Sequence, residues 1–154
     1  MVIKAIFCDF DGVFTDNSVW TNERGEESVR CNRSDGIGIS SLKAHGIYFC
    51  IISSEVIPIA KYRAKKLQID CYTGVKEKDT VIESIKTKLC FKTEECAFIG
   101  NDINDLPAFK SVGIKIAVSD SYKQLLDKAD HILSRPGGYG AVREACEYIM
   151  NLNK

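Results

Sequence analysis

Apolar residues along this chain come in short blocks separated by amphipathic stretches, instead of alternating residue by residue. Val2 to Cys8, Ile47 to Ile52, Cys96 to Ile99, Ile114 to Val118 and His131 to Leu133 are such blocks. Short near-continuous apolar runs predict strands covered on both faces. Between them, Val81, Ile82, Ile85 and Leu89 form one helical stripe, and Val142, Ala145, Cys146, Ile149 and Met150 another. Pro58 suits a first helical turn. Strands separated by helix-length segments predict an α/β fold with a doubly wound, Rossmann-like parallel sheet. Sheets of that kind bind ligands at the carboxyl ends of their strands.

One segment departs from the alternation. Ser18 to Thr21 and Ser28 to Cys31 flank Asn22, Glu23, Arg24 and Gly25, which predicts a β-hairpin after the first strand, a flap over about residues 17–31. Pro136, Gly137, Gly138 and Gly140 make the one evident flexible stretch, inside a C-terminal tail of about residues 134–154. With 154 residues and no interdomain linker, a single domain over 1–154 is expected.

Charge narrows the class of partner. Lysine and arginine number 21 and aspartate and glutamate 21, with no long run of either sign, so nucleic acid is not an expected partner. Met1 leads straight into a strand-like segment, and no apolar run approaches the roughly 18 residues of a membrane span, so no membrane role and a cytoplasmic location are expected. The seven cysteines show no CxxC pair; most sit in apolar stretches, where packing as free thiols is the expectation.

The first strand runs into Cys8, Asp9, Phe10, Asp11, Gly12, Val13, Phe14, Thr15 and Asp16. Residues two apart on an extended chain share a face, so Asp9 and Asp11 are expected to point toward one site. Two carboxylates there repel, and a divalent cation relieves the repulsion; hard oxygen ligands beside an anionic substrate suit Mg2+ better than zinc. Asp9 is then the expected nucleophile, forming an aspartyl-phosphate. Asp11 is the expected general acid and later base, which requires the site to raise its carboxyl above the unperturbed value of about 3.9, through Asp9 and partial burial.

Later strand ends supply matching groups. Ser53, after Ile51 and Ile52, can hold a phosphate oxygen, and Lys78 can place a positive charge there. Asn101, Asp102, Asn104 and Asp105 gather oxygen donors at another carboxyl edge. Taken singly, each has a plainer explanation. Asp-x-Asp is common in solvated turns, Ser53 suits a helix N-cap, Lys78 a solvated surface, and the Asn/Asp run an ordinary turn. Their order, each at a strand end or helix start, favours catalysis.

At these residues the chain resembles the haloacid dehalogenase superfamily: DFDGVFTD corresponds to its first motif, Ser53 to the second, Lys78 to the third and GNDIND to the fourth. Within it, the flap, RSDGIGI from Arg33 and RPGGYGAVRE from Arg135 resemble the small phosphatases of 3-deoxy-octulosonate 8-phosphate and of nine-carbon ketodeoxynonulosonate or N-acylneuraminate 9-phosphates. The resemblance implies a magnesium-dependent phosphatase without a cap domain, acting on a small sugar acid phosphate as a homotetramer in which a neighbouring flap and tail help close the site. Trp20 is then either an interface anchor or packed on its own subunit, and Arg143 either reaches a substrate carboxylate in the neighbouring site or pairs with a nearby glutamate.

Two departures from the commoner pattern bear on mechanism and substrate. Asn101 stands where most of the family has a magnesium-binding aspartate, so either its amide oxygen ligates or Asp102 supplies the carboxylate. Ser53, Ser54 and Glu55 stand where octulosonate phosphatases have Thr, Gly and Arg. Glu55 either accepts hydrogen bonds from sugar hydroxyls, which favours a nine-carbon substrate, or is an acidic residue near a helix N-terminus. Two other classes compete. A non-catalytic oligomerisation domain, as found behind sialic-acid cytidylyltransferases, leaves Asp9, Asp11, Ser53 and Lys78 without a purpose, and a phosphorylated receiver domain leaves GNDIND and the flap unexplained.

Overall fold

A computed structural model describes residues 2–56 and 58–154. Six strands form one parallel sheet: β1 (Ala5–Cys8), β4 (Tyr48–Ile52), β5 (Asp70–Tyr72), β6 (Cys96–Gly100), β7 (Ile114–Ala117) and β8 (His131–Ile132), in the order β5-β4-β1-β6-β7-β8. Strands β2 (Trp20–Thr21) and β3 (Glu27–Ser28) pair antiparallel apart from it, with Trp20 opposite Ser28. The chain moves outward from β1 to β4 and β5, then returns to the other side of β1 for β6, β7 and β8. Strand order therefore reverses at β1, and the crevice at such a reversal is where these sheets take ligands.

Both faces of the sheet are covered, which explains the apolar blocks. Ile6 and Cys8 of β1 join one core with α1 (Arg33–Ala44), α2 (Ile59–Leu67) and α6 (Ala141–Leu152), through Ile39, Leu42, Ala60, Val142 and Ile149. Ala5 and Phe7 face the other core, built with α3 (Lys78–Leu89), α4 (Leu106–Phe109) and α5 (Lys123–Leu126) through Ile82, Ile85, Phe109 and Leu125. Four cysteines, Cys8, Cys50, Cys96 and Cys146, are buried in these layers, and all seven are free thiols. Among the described residues, no helix is long and apolar enough to cross a membrane.

Several elements differ from the sequence pattern for identifiable reasons. The first strand begins at Ala5 because the amide and carbonyl of Ile3 are both taken by the Asn153 side chain, each at 2.8 Å, which clasps the two chain ends together. Strand β5 carries no apolar run, since it is an edge strand with Asp70 and Tyr72 exposed. Leu89, expected in the α3 stripe, is exposed in the helix's last turn, while Ile82 and Ile85 are buried. Pro58 is the residue preceding the first turn of α2.

Helices α1 and α6 meet at Asp35, whose Oδ1 accepts the Arg143 amide at 3.1 Å, a cap for α6 supplied from another helix because its own N-cap is Gly140. Asp35 Oδ2 is buried without a partner. Burial pushes the Asp35 carboxyl up to about 6, against the Arg143 amide and Arg63. The folded protein thus binds this proton more tightly than the unfolded chain, and stability is lost as pH rises from about 4 through 6. Asp35→Asn keeps the acceptor without the charge. It is expected to be more stable than the parent by about 1–3 kcal/mol at pH 7, with the difference vanishing near pH 4, in urea melts across that range.

Candidate active site

The turn after β1 gathers the first group of side chains. Asp9 is already beyond the strand, its amide bonded to the Ile99 carbonyl at 3.0 Å, and the chain then coils so that the Val13 and Phe14 amides both donate to the Phe10 carbonyl. Asp9 and Asp11 do meet at one cavity, but through this coil; the shared strand face expected from the sequence ends at Cys8. Thr15, fully buried, ties the coil by accepting the Gly12 amide at 3.2 Å and the Asn17 amide at 3.1 Å. Gly12 has φ of 82° and lies against the Asn101 amide, so close that a Cβ would collide with it.

Lys78, the first residue of α3, is buried with its ammonium between two carboxylates, 2.9 Å from Asp9 Oδ1 and 2.7 Å from Asp105 Oδ1. Burial alone would lower its pKa, but Asp9 and Asp105 together hold it above the ordinary lysine value. Burial and the Asp105 charge hold Asp9 above the usual carboxylate range, opposed by Lys78 and by the Phe10 amide, which donates to Oδ1 at 2.7 Å. Asp105, one of the oxygen donors of the GNDIND run, is spent on Lys78, a pairing the sequence did not indicate. It is wholly buried, and its Oδ2 accepts the Asn101 amide at 2.9 Å, so it organises the strand end as well as the lysine. Its sequence signal was a carboxylate four residues after Asn101, reachable only across a tight turn at Ile103–Asp105.

The third feature is the Asn101 side-chain amide, which reaches Asp9 Oδ2 and the Asp11 carbonyl oxygen at 3.2 Å each: with its nitrogen toward them it donates to both, and with its oxygen toward them the three oxygens need a cation between them. Among the described residues no three carboxylate, imidazole or thiolate side chains cluster as a metal cage. An octahedral magnesium with bonds of about 2.1 Å separates neighbouring ligand oxygens by roughly 3 Å, so a carboxylate, a main-chain carbonyl and an amide oxygen at this spacing fit that ion. Asp102 is less available, since its Oδ1 accepts the Ile103 amide at 2.7 Å.

Around this centre lie two adjoining cavities. The smaller, about 130 Å3, is lined by Asp9, Asp11, Asn17, Ser54, Glu55, Asn101, Asp102 and Asn104. The larger, about 180 Å3, lies between the flap and α2 and shares Asp11, Asn17 and Glu55 while adding Phe10, Ser53 and Glu27. Ser53 is buried, and its hydroxyl accepts the Glu55 amide at 3.2 Å, holding the loop after β4. Ser54 accepts from the Asn104 side chain at 3.4 Å. The Asp11 carboxyl is raised by burial and then by Glu55, with Lys78 opposing and Glu27 adding. After burial, the carboxylates that lift it are Glu55 and then Glu27, in place of the Asp9 expected from the sequence.

Two sequence candidates lie elsewhere. Arg143 lines neither cavity of its own subunit; its Nε donates to Glu147 Oε1 one turn along α6. Trp20 is 60% exposed on the flap and is not packed into its own subunit.

The haloacid dehalogenase-like hydrolase family model matches residues 60–137, a span that includes Lys78 and the GNDIND run. The 3-deoxy-D-manno-octulosonate 8-phosphate phosphatase KdsC of Yersinia pestis is 35% identical over 149 residues, covering 96% of this chain and 80% of the relative. The Escherichia coli K12 protein of the same name is 32% identical, covering 96% and 79%. The crystal structure of the Yersinia pestis phosphatase superposes with a TM-score of 0.94 at 34% identity, covering 98% of this chain and 82% of that one. The Moraxella catarrhalis phosphatase, solved with magnesium ion, phosphate ion and KDO, superposes at 0.92 with 35% identity, covering 97% and 86%. Similarity over nearly the whole length, with this ordered set of carboxylates and lysine at the strand ends, leaves one conclusion: this chain belongs to the haloacid dehalogenase-like hydrolases and is a phosphatase among them.

Proposed function

We propose that the chain is a magnesium-dependent hydrolase of 3-deoxy-D-manno-octulosonate 8-phosphate that works through an aspartyl-phosphate. The observation that carries the chemistry is the convergence of Asp9, the Asp11 carbonyl and Asn101 beside a lysine held by Asp9 and Asp105. The substrate follows from the relatives, which are octulosonate 8-phosphate phosphatases over 96% of this chain.

In the first step a carboxylate oxygen of Asp9 bonds to phosphorus while the bond from phosphorus to the sugar oxygen breaks, and Asp11 gives its proton to that oxygen. The raised Asp11 carboxyl suits this task. In the second step Asp11 takes a proton from water, the water oxygen bonds to phosphorus, and phosphate leaves as the Asp9 oxygen is released. Lys78 keeps Asp9 in line and adds positive charge, and Ser53 offers its hydroxyl to a phosphate oxygen. Asp9, the Asp11 carbonyl and Asn101 would hold the magnesium, which offsets the repulsion between the attacking carboxylate and the phosphate.

A second reading keeps the nine-carbon substrates expected from the sequence, and one observation favours it. Glu55 borders both cavities where its carboxylate can accept from sugar hydroxyls, and Glu27 faces the same space. No relative described above bears a nine-carbon substrate's name, so the eight-carbon reading stands first. A homotetramer is part of the proposal. Trp20 on the flap, and Val56 and Tyr62 beside and on α2, are exposed on the two segments that wall the larger cavity, an apolar rim suited to a neighbouring subunit. Free thiols and balanced charge fit a cytoplasmic setting.

Phosphate release measured in parallel from octulosonate 8-phosphate, ketodeoxynonulosonate 9-phosphate and N-acetylneuraminate 9-phosphate is expected to give the highest kcat/KM for the first; a preference for either nine-carbon ester would install the second reading. Asp9→Asn and Asp11→Asn are each expected to lower kcat by about 1,000-fold or more. Turnover of Asp9→Asn near the parent rate would refute the aspartyl-phosphate. Asn101→Asp adds a carboxylate to the oxygen set, and the magnesium concentration for half-maximal rate is expected to fall by about 3- to 10-fold. An unchanged magnesium titration would remove Asn101 from the ligand set.

A further inference from the structure

The glycine-rich segment Arg135–Gly140 lines neither cavity, yet its main chain presses directly on the turn that carries Asp11. The Gly138 amide donates to the Val13 carbonyl at 3.0 Å. A Cβ on Gly137 would stand 1.9 Å from the Gly12 carbonyl oxygen and 2.8 Å from that of Thr15. On Gly138, where φ is 78°, it would stand 2.5 Å from the Asp16 amide nitrogen. These neighbours are backbone atoms and cannot swing aside as a side chain would, so any residue other than glycine has to push the turn itself.

The segment is in turn held from the end of β7. Asp120 Oδ1 accepts the Gly137 amide at 3.0 Å, and the Ser119 amide donates to the Arg135 carbonyl at 3.2 Å. Two residues beyond Asp120, the Tyr122 amide donates to the Asn101 carbonyl at 3.0 Å. One short loop thereby holds Asn101 directly and the Asp11 turn through Gly137.

We propose that Gly137, Gly138 and Asp120 are positioning residues for the reaction: from outside the cavities they set the Asp9–Asp16 turn, and with it Asp11, against Asn101. This rests on the phosphatase reading of the same site. A displacement of about 1 Å in a reacting group costs on the order of 100-fold in rate, and a Cβ at Gly137 demands a shift of that size.

The test compares Gly137→Ala and Asp120→Ala with Gly140→Ala. Gly140 is strained for alanine by its φ of 88°, but the atoms nearest its Cβ would be the Ser34 hydroxyl and the Arg135 side chain, none of them in the turn. For each variant, thermal melting, kcat and KM for p-nitrophenyl phosphate with magnesium, and hydrogen exchange at the Val13, Phe14 and Thr15 amides would be measured. Gly137→Ala is expected to lose about 100-fold in kcat with KM changed less than about 3-fold, and Asp120→Ala about 10-fold, both with faster exchange in the turn. Gly140→Ala is expected to melt earlier while keeping kcat per folded molecule within about 2-fold. Parent-like kcat in Gly137→Ala, or an equal loss in Gly140→Ala, would overturn the proposal. Should Gly137→Ala not fold, Asp120→Ala decides, and parent-like rate and exchange there would overturn it. If the unsubstituted protein releases phosphate from no ester, the phosphatase reading falls, and exchange in the turn alone then decides the positioning claim.

Discussion

The buried ammonium of Lys78 is the interaction on which the site depends. Removing a lysine from water costs several kcal/mol unless its charge is met by well-placed oxygens. Here Asp9 and Asp105 both meet it, one from the turn after β1 and the other from the turn after β6. The ion therefore fastens α3 to two neighbouring strand ends at the reversal of strand order. Two carboxylates around one ammonium carry one negative charge more than it offsets; with burial this holds Asp9 above the usual carboxylate range, and a cation among the adjoining oxygens would offset it.

Burial raises both Asp9 and Asp11, but different charges act on the two although they are two residues apart. Asp9 is tied to Lys78 and to the Phe10 amide, which favours its ionised form against burial and the Asp105 charge. Asp11 has its strongest charged neighbour in Glu55, which favours its protonated form. Glu55 thus has two consequences at once, on the proton of Asp11 and on the wall that a sugar would meet.

How the turn is held matters as much as what it carries. Thr15 closes it from within, Asn101 packs on one side, and the main chain of Gly137 and Gly138 packs on the other. Flap and α2 build the remaining walls of the larger cavity, through Ser18, Val19, Glu27 and Val29 on one side and Ile59 and Ala60 on the other. Rigid backing behind the carboxylates and an adaptable rim in front of them is an arrangement suited to a reaction whose demands are mainly positional.

Much of this was legible in the residues alone. The apolar blocks specify a parallel sheet buried on both faces because such strands have no solvent side, and Asp9, Asp11, Ser53 and Lys78 mark the carboxyl edge because each follows an apolar block or opens a helix. What the linear order could not convey is which partner each charge finds. Asp105 is paired with Lys78 across 27 positions, Glu55 acts on Asp11 from the loop after β4, and Arg143 finds Glu147 along its own helix. Periodicity reports which face of an element is apolar, a property of neighbours in sequence. Distances between ends of different strands are set by how those faces pack, and only the tertiary structure decides them.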